Sequence, residues 1–242
     1  MVKAVLTGHT RGLGAAIAEE LLGRGIAVLG LARRHNTELG ARFPATLAQV
    51  ELDLTDSAEL ARWLAGPALA HFLEGAETVL LINNAGMVKP VGPLGRLDIA
   101  QIGAAISLNV AAPLMLSSAF VGASGAAADR RIVHVSSGAG RGAYAGWGGY
   151  CAGKAALDHH ARSVALDRTH GLRICSLAPG VIDTDMQANL RACSLEQFPD
   201  REKFDRLKRE GALSAPAEGA LRLVDYLLSD KFGREAVADL RG

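Results

Sequence analysis

Cysteine is scarce in this chain. Cys151, Cys175 and Cys193 are an odd set without metal-ligand spacing. That excludes a disulfide scaffold and suits a reducing compartment, so a cytoplasmic location is expected. The histidines offer no metal site either. His159 and His160 are adjacent and cannot share one helix face, and no His-x-x-x-His pair occurs, so no bound metal is expected. Neither sign of charge dominates, the net charge being +1; nucleic acid and acidic membrane are therefore not expected partners. No repeat, linker or low-complexity tract interrupts the chain. No apolar run reads as long enough to span a bilayer, and the run after Met1 is too short for a signal peptide.

What is present is a chain of 242 residues, 49% hydrophobic and 21% charged, enough for one large domain with a sizeable core. Short apolar runs at 2–6, 26–31, 49–52, 78–82, 131–135, 172–177 and 235–240 read as strands. Helical stretches at 15–22, 68–73, 99–120, 150–168 and 217–228 separate most of them. Strands alternating with helices argue for an α/β fold, a doubly wound domain spanning 1–242 with a parallel sheet. Pro113 predicts a kink in the long helix that loosens carbonyls around Asn109. Asn109 itself is either a satisfied core amide or a functional one. The charge run 200–210 reads as a solvated helix face, within a segment 181–211 that is a plausible flap.

The first strand runs into Thr7-Gly8-His9-Thr10-Arg11-Gly12-Leu13-Gly14 and then a helix. Glycines there allow a tight turn and a close backbone approach to a pyrophosphate, and the helix N-terminus offers free N–H groups to the anion. The second strand ends at Ala32-Arg33-Arg34 with no carboxylate. A carboxylate there would bind the 2′-hydroxyl of NAD, whereas arginine accommodates the 2′-phosphate of NADP. NADP(H) is therefore the expected cofactor and NAD(H) the less favoured one, with Arg33, Arg34 and Arg11 as candidates for the phosphate.

The fifth strand delivers Ser136-Ser137, and a glycine-rich span leads to Tyr150-Cys151-Ala152-Gly153-Lys154. On a helix, Tyr150 and Lys154 share a face. A nearby ammonium favours phenolate, so the pKa of Tyr150 is expected to fall towards neutrality, fitting it to exchange a proton with a carbonyl or alcohol oxygen. Ser137 is placed to hydrogen-bond that oxygen. Tyr144 and Trp147 amid the glycines suggest an open, adaptable pocket with aromatic walls.

In these motifs, taken in order, the sequence resembles the short-chain dehydrogenase/reductase family over nearly its whole length. The resemblance rests on Thr7-Gly-x-x-x-Gly12-x-Gly14, Asp53, Asn83-Asn84-Ala85-Gly86, Asn109, Ser137, Tyr150 with Lys154, and Pro179-Gly180 with Thr184. It implies a Rossmann-like sheet of seven strands in the order 3-2-1-4-5-6-7. Tyr150 becomes the general acid/base, Lys154 its pKa-lowering partner and a ribose ligand, and Ser137 rather than Ser136 the partner of the substrate oxygen. Asn109 would hold a water linking Lys154 to solvent, and Asp53 would contact adenine. The implied cofactor contacts are Gly8, Thr10, Arg11, Gly12, Leu13, Gly14, Arg33, Arg34, Asp53, Leu54, Asn84, Ala85, Gly86, Tyr150, Lys154, Pro179, Gly180, Ile182 and Thr184. A homodimer or homotetramer that packs the Tyr150 helix is also implied. Gly153 departs from the family, where a serine commonly precedes the lysine, and the short stretch after the last strand puts any tail contact across a tetramer in doubt.

The expected activity is hydride transfer between NADP(H) and a small-molecule carbonyl or secondary alcohol, most simply as a ketone or diketone reductase. The glycine turn and the Ala-Arg-Arg strand end look like the family's reductases of diketones and pterin-like carbonyls. A nucleotide-sugar epimerase lacks support because no C-terminal substrate domain follows. A catalytically silent NADP-binding regulator is the alternative of another class, disfavoured by the presence of all of Asn109, Ser137, Tyr150 and Lys154.

Overall fold

Strand residues alternate between the two faces of a sheet, and in this chain both faces are apolar. The computed structural model describes residues 1–241 and lays seven strands side by side in one parallel sheet, ordered β3-β2-β1-β4-β5-β6-β7. These are β1 (Val2–Thr7), β2 (Ala27–Ala32), β3 (Leu47–Glu51), β4 (Thr78–Asn83), β5 (Asp129–Val135), β6 (Leu172–Ala178) and β7 (Val237–Asp239). Register carries the alternation across the sheet. Leu29, Val5, Leu81, Ile132 and Ile174 stand in one row and pack on one face. The next row, with Leu6, Ile82, Val133 and Cys175, packs on the other. Parallel strands buried on both faces need such continuous apolar runs.

Helices close each face. On one side α1 (Gly12–Gly23) and α10 (Pro216–Leu228) supply Ile17, Leu21, Leu223 and Val224 to the core. On the other lie α3 (Ser57–Leu64), α4 (Ala68–Leu73), α5 (Ile99–Ile106), α6 (Ala112–Ala123) and α7 (Gly148–Leu166), contributing Leu60, Leu69, Leu116, Phe120 and Ala161. A small α2 (Thr37–Arg42) precedes β3, and α8 (Asp185–Arg191) and α9 (Arg201–Arg209) lie between β6 and α10. Asp56 caps α3 by accepting from the N–H groups of Ala58 and Glu59, both at 2.9 Å.

Two readings need correction. Residues Ile99–Ala123 form a helical run long and apolar enough to cross a membrane, although the sequence was expected to contain none. Its inner face carries Ala112, Leu116 and Phe120 into the core, as a core helix would. The long helix is also altered at Ser107–Ala111, where one turn widens to a π-helix containing Asn109. Pro113 has no N–H to give to the Asn109 carbonyl four residues earlier, which removes an α-helical bond at that point.

Among the glycines, a very close approach lies at the first turn. A Cβ on Gly14 would stand 2.0 Å from the Gly8 carbonyl oxygen and 2.4 Å from Asn84 Nδ2. Backbone cannot yield there as a flexible side chain would. Gly14→Ala is expected to destabilise the protein by at least about 2 kcal/mol, lowering the melting temperature by roughly 4–8 °C. An unchanged melting curve would show that the turn has slack that this contact denies.

Candidate active site

The carboxyl ends of the central strands open into one cleft of about 1280 Å³. Its floor begins at the glycine turn. Gly8 and Gly12 have φ of 71° and 55°, where a side chain is strained. The Asn84 side chain latches this turn to the end of β4, donating to the Thr7 carbonyl at 2.9 Å and the Gly8 carbonyl at 3.3 Å. In return Thr7 Oγ1 accepts from the N–H groups of Asn84 and Ala85. No side chain caps α1, so its first N–H groups face the cleft as an anion cradle. Thr10, Leu13 and Gly86 line the same wall.

Arg33 and Arg34 are exposed at the end of β2 and line the cleft beside Asp53 and Leu54. Among the described residues neither has a carboxylate partner. Arg11 does: its Nη1 lies 3.2 Å from Asp185 Oδ2 at the start of α8. Asp53 is turned partly inward, accepting from Thr55 N–H at 2.9 Å and Thr55 Oγ1 at 2.8 Å. Pro179, Gly180, Ile182 and Thr184 border the opposite side. A Cβ on Gly12 would meet Thr184 Cγ2 at 3.3 Å, so the residue before α8 lies directly over the start of α1.

Ser137, Tyr150 and Lys154 converge beyond the turn. Ser137 opens a short 3₁₀ turn, Gly138–Gly140, its Oγ accepting from Ala139 N–H at 3.2 Å. Ser136 points away and donates to Asp158 Oδ1 at 2.8 Å, which leaves Ser137 as the serine facing Tyr150. Lys154 is 5% exposed and donates to the Val135 carbonyl at 2.7 Å. Its Nζ stands 5.6 Å from the centre of the Tyr150 ring. A Cβ on Gly86 would come within 3.8 Å of that Nζ and 3.2 Å of Asn109 Oδ1.

The electrostatics reverse one expectation. Burial pushes the Tyr150 phenol up to about 12, against a downward pull from the Ser137 hydroxyl. Lys154 Nζ is committed to the Val135 carbonyl, and desolvation is the largest influence on the phenol. Burial likewise lowers Lys154 to about 8, opposed by the carboxylate of Asp158. Asn109 proves a satisfied amide: its Oδ1 accepts from Met87 N–H at 2.9 Å and its Nδ2 donates to the Met87 carbonyl at 2.8 Å. Gly153 lets α7 approach the π turn, since a Cβ there would meet Asn109 Cβ at 3.3 Å.

The glycine-rich span is less open than its composition suggests. Trp147 is buried and stacks on Phe198 with ring centres 4.7 Å apart, and Phe204 of α9 packs on Trp147 and Tyr144. The charge run therefore has a buried apolar side, and aromatic contact packs α9 onto the pocket wall. Sequence reasoning missed Phe204 as a wall and Asp158 beneath the site. The place of Asp158, one helical turn after Lys154, was the available signal.

The chain is similar to known proteins of one family. The short chain dehydrogenase family pattern matches residues 3–194. A benzil reductase, (S)-benzoin forming, from Bacillus cereus is 33% identical over 235 residues, covering 94% of each chain. A sepiapterin reductase from Meriones unguiculatus is 35% identical over 250 residues, covering 97% of this chain and 94% of its own. A crystal structure of a short-chain dehydrogenase/reductase from Burkholderia vietnamiensis is 51% identical with a TM-score of 0.74, covering 100% of this chain and 97% of that one. The chain belongs to the short-chain dehydrogenase/reductase family, whose members bind a nicotinamide cofactor, and is an oxidoreductase acting on carbonyl/alcohol groups.

Proposed function

We propose that the protein is an NADPH-dependent reductase of apolar ketones or diketones. The observation that carries this reading is the convergence of Ser137, Tyr150 and Lys154 at one end of a cleft whose other end holds an uncapped helix start and two arginines without a carboxylate partner among the described residues. The residues fit the cofactor by their own chemistry. Gly8, Gly12 and Gly14 leave a cradle without side chains, the α1 N–H groups suit a pyrophosphate, and Arg33 and Arg34 suit a 2′-phosphate. Asp53 and Leu54 lie where an adenine would be held, Asn84, Ala85 and Gly86 along the middle, and Pro179, Gly180, Ile182 and Thr184 by the nicotinamide.

A bound nicotinamide supplies the hydride. Tyr150, protonated throughout the neutral range, donates its Oη proton to the substrate oxygen. Ser137 hydrogen-bonds that oxygen as negative charge develops. Lys154, held on the Val135 carbonyl and over the Tyr150 ring, stabilises the phenolate left behind, and a water on the Asn109 carbonyl returns the proton. Val88, Tyr144, Trp147, Met186, Leu190 and Phe204 line the cleft, which suits an apolar substrate. The names of the benzil and sepiapterin reductases support a ketone or diketone. The segment 181–211 acts as the substrate flap. We further propose a cytoplasmic homodimer or homotetramer, formed over α5 and α7, where Ile99 is 85% and Leu166 79% exposed.

Turnover of benzil with NADPH tests the reading. Tyr150→Phe should lower kcat by about 10²–10⁴-fold with little change in NADPH affinity measured by fluorescence titration; equal turnover removes Tyr150 from the chemistry. The wild-type kcat should fall as pH rises through about 8, where Lys154 loses its proton. A rate that stays flat up to pH ~10 would contradict that role, since an exposed lysine titrates there. Arg33→Asp should shift the NADPH/NADH preference towards NADH by about tenfold or more through charge repulsion. An unmoved ratio would make Arg33 a surface charge.

A further inference from the structure

The buried carboxylate of Asp158 takes no part in the chemistry above. It is 2% exposed and stands one turn beyond Lys154 on α7. Its Oδ1 accepts from the hydroxyls of Ser136 at 2.8 Å and Ser176 at 2.6 Å. Its Oδ2 lies 3.2 Å from Arg141 Nε. A buried charge is tolerated only with such partners.

The identity of those partners gives the group its meaning. Ser136 immediately precedes Ser137. Arg141 closes the 3₁₀ turn that Ser137 opens. Ser176 belongs to β6, which leads into Pro179-Gly180. A Cβ on Gly140 would meet both Asp158 Oδ2 and the Lys154 carbonyl at 3.0 Å, so this turn rests directly on α7 at the two charged residues. Arg141 then reaches outwards, donating to the Ala238 carbonyl at 3.1 Å and lying 3.6 Å from Asp239 Oδ2.

We propose that Asp158 is a positioning residue of this enzyme, anchoring the turn that carries Ser137 and supplying the buried counter-charge to the ammonium of Lys154. Its consequence for turnover rests on the reductase reading; its electrostatic role does not. The groups around Lys154 are Tyr150 and Asp158 on its own helix, the Asn109 amide from the π turn, and His134 on β5. Burial, with Lys154 and His160 nearby, pushes His134 down to about 3, so it is neutral. Around Asp158 stand Lys154, Arg141 and the Cys175 thiol, which burial pushes up to about 11. Lys154 Nζ sits on the Val135 carbonyl and Asp158 Oδ1 on the hydroxyl of the next residue, Ser136, so Asp158 is the carboxylate that neighbours Lys154 within the fold.

The test is an NMR titration of the full chain labelled with ¹³C-lysine, with the Lys154 Cε signal assigned by its loss in Lys154→Met. In Asp158→Asn the Lys154 midpoint should move to lower pH by roughly half a unit or more, because removing an opposite charge disfavours the charged form. In Ser176→Ala, which removes a packing partner but keeps the carboxylate, the midpoint should stay in place. An unmoved midpoint in Asp158→Asn overturns the proposal, as does an equal shift in Ser176→Ala. If Asp158→Asn does not fold, Asp158→Ser gives the same reading. On turnover, Asp158→Asn should lower kcat severalfold and displace the alkaline limb by the same shift, with NADPH affinity unchanged. Wild-type protein inert towards every carbonyl would sink the reductase reading, while the NMR midpoint would still decide the role of Asp158.

Discussion

Burial of one ammonium group is the constraint on which the site depends. Lys154 lies inside the fold, where desolvation of an unpartnered charge costs several kcal/mol. The chain meets that cost with the Val135 carbonyl, the face of the Tyr150 ring and the carboxylate of Asp158. Each partner comes from an element that builds the cleft: β5 ends in the serines, and α7 presents Tyr150, Lys154 and Asp158 on successive turns. Holding the lysine therefore fixes how the strand end, the serine turn and the tyrosine stand to one another.

The same burial acts on the neighbouring phenol. With its phenol pushed up to about 12, Tyr150 keeps its proton over the neutral range. A positively charged neighbour does not by itself produce a phenolate when both groups are desolvated and the ammonium is committed to a backbone carbonyl.

Much of this was legible in the sequence because backbone geometry demanded it. The apolar alternation that places Val5, Leu81 and Ile132 on one face and Leu6, Ile82 and Val133 on the other is visible as strands. Gly14 announces a contact that no Cβ can enter. Tyr150 and Lys154 announce a shared helix face. Less legible was whatever depended on distant packing. Phe204 reads as one apolar residue in a charged run, and only the fold brings it onto Trp147. Arg11 reads as a free phosphate ligand until Asp185 at the start of α8 is placed beside it. Asn109 could not be assigned until Met87 was seen to take both ends of its amide. The π turn follows from Pro113 in kind, though the sequence predicts only a kink.

The most direct measurement of the central claim uses NADPH carrying deuterium at the transferable position of the nicotinamide, with benzil as substrate. Loss of nicotinamide absorbance should accompany formation of benzoin with deuterium on the carbinol carbon, and the label should vanish with Tyr150→Phe. Tight NADPH binding without product, or benzoin without deuterium on that carbon, would contradict the account.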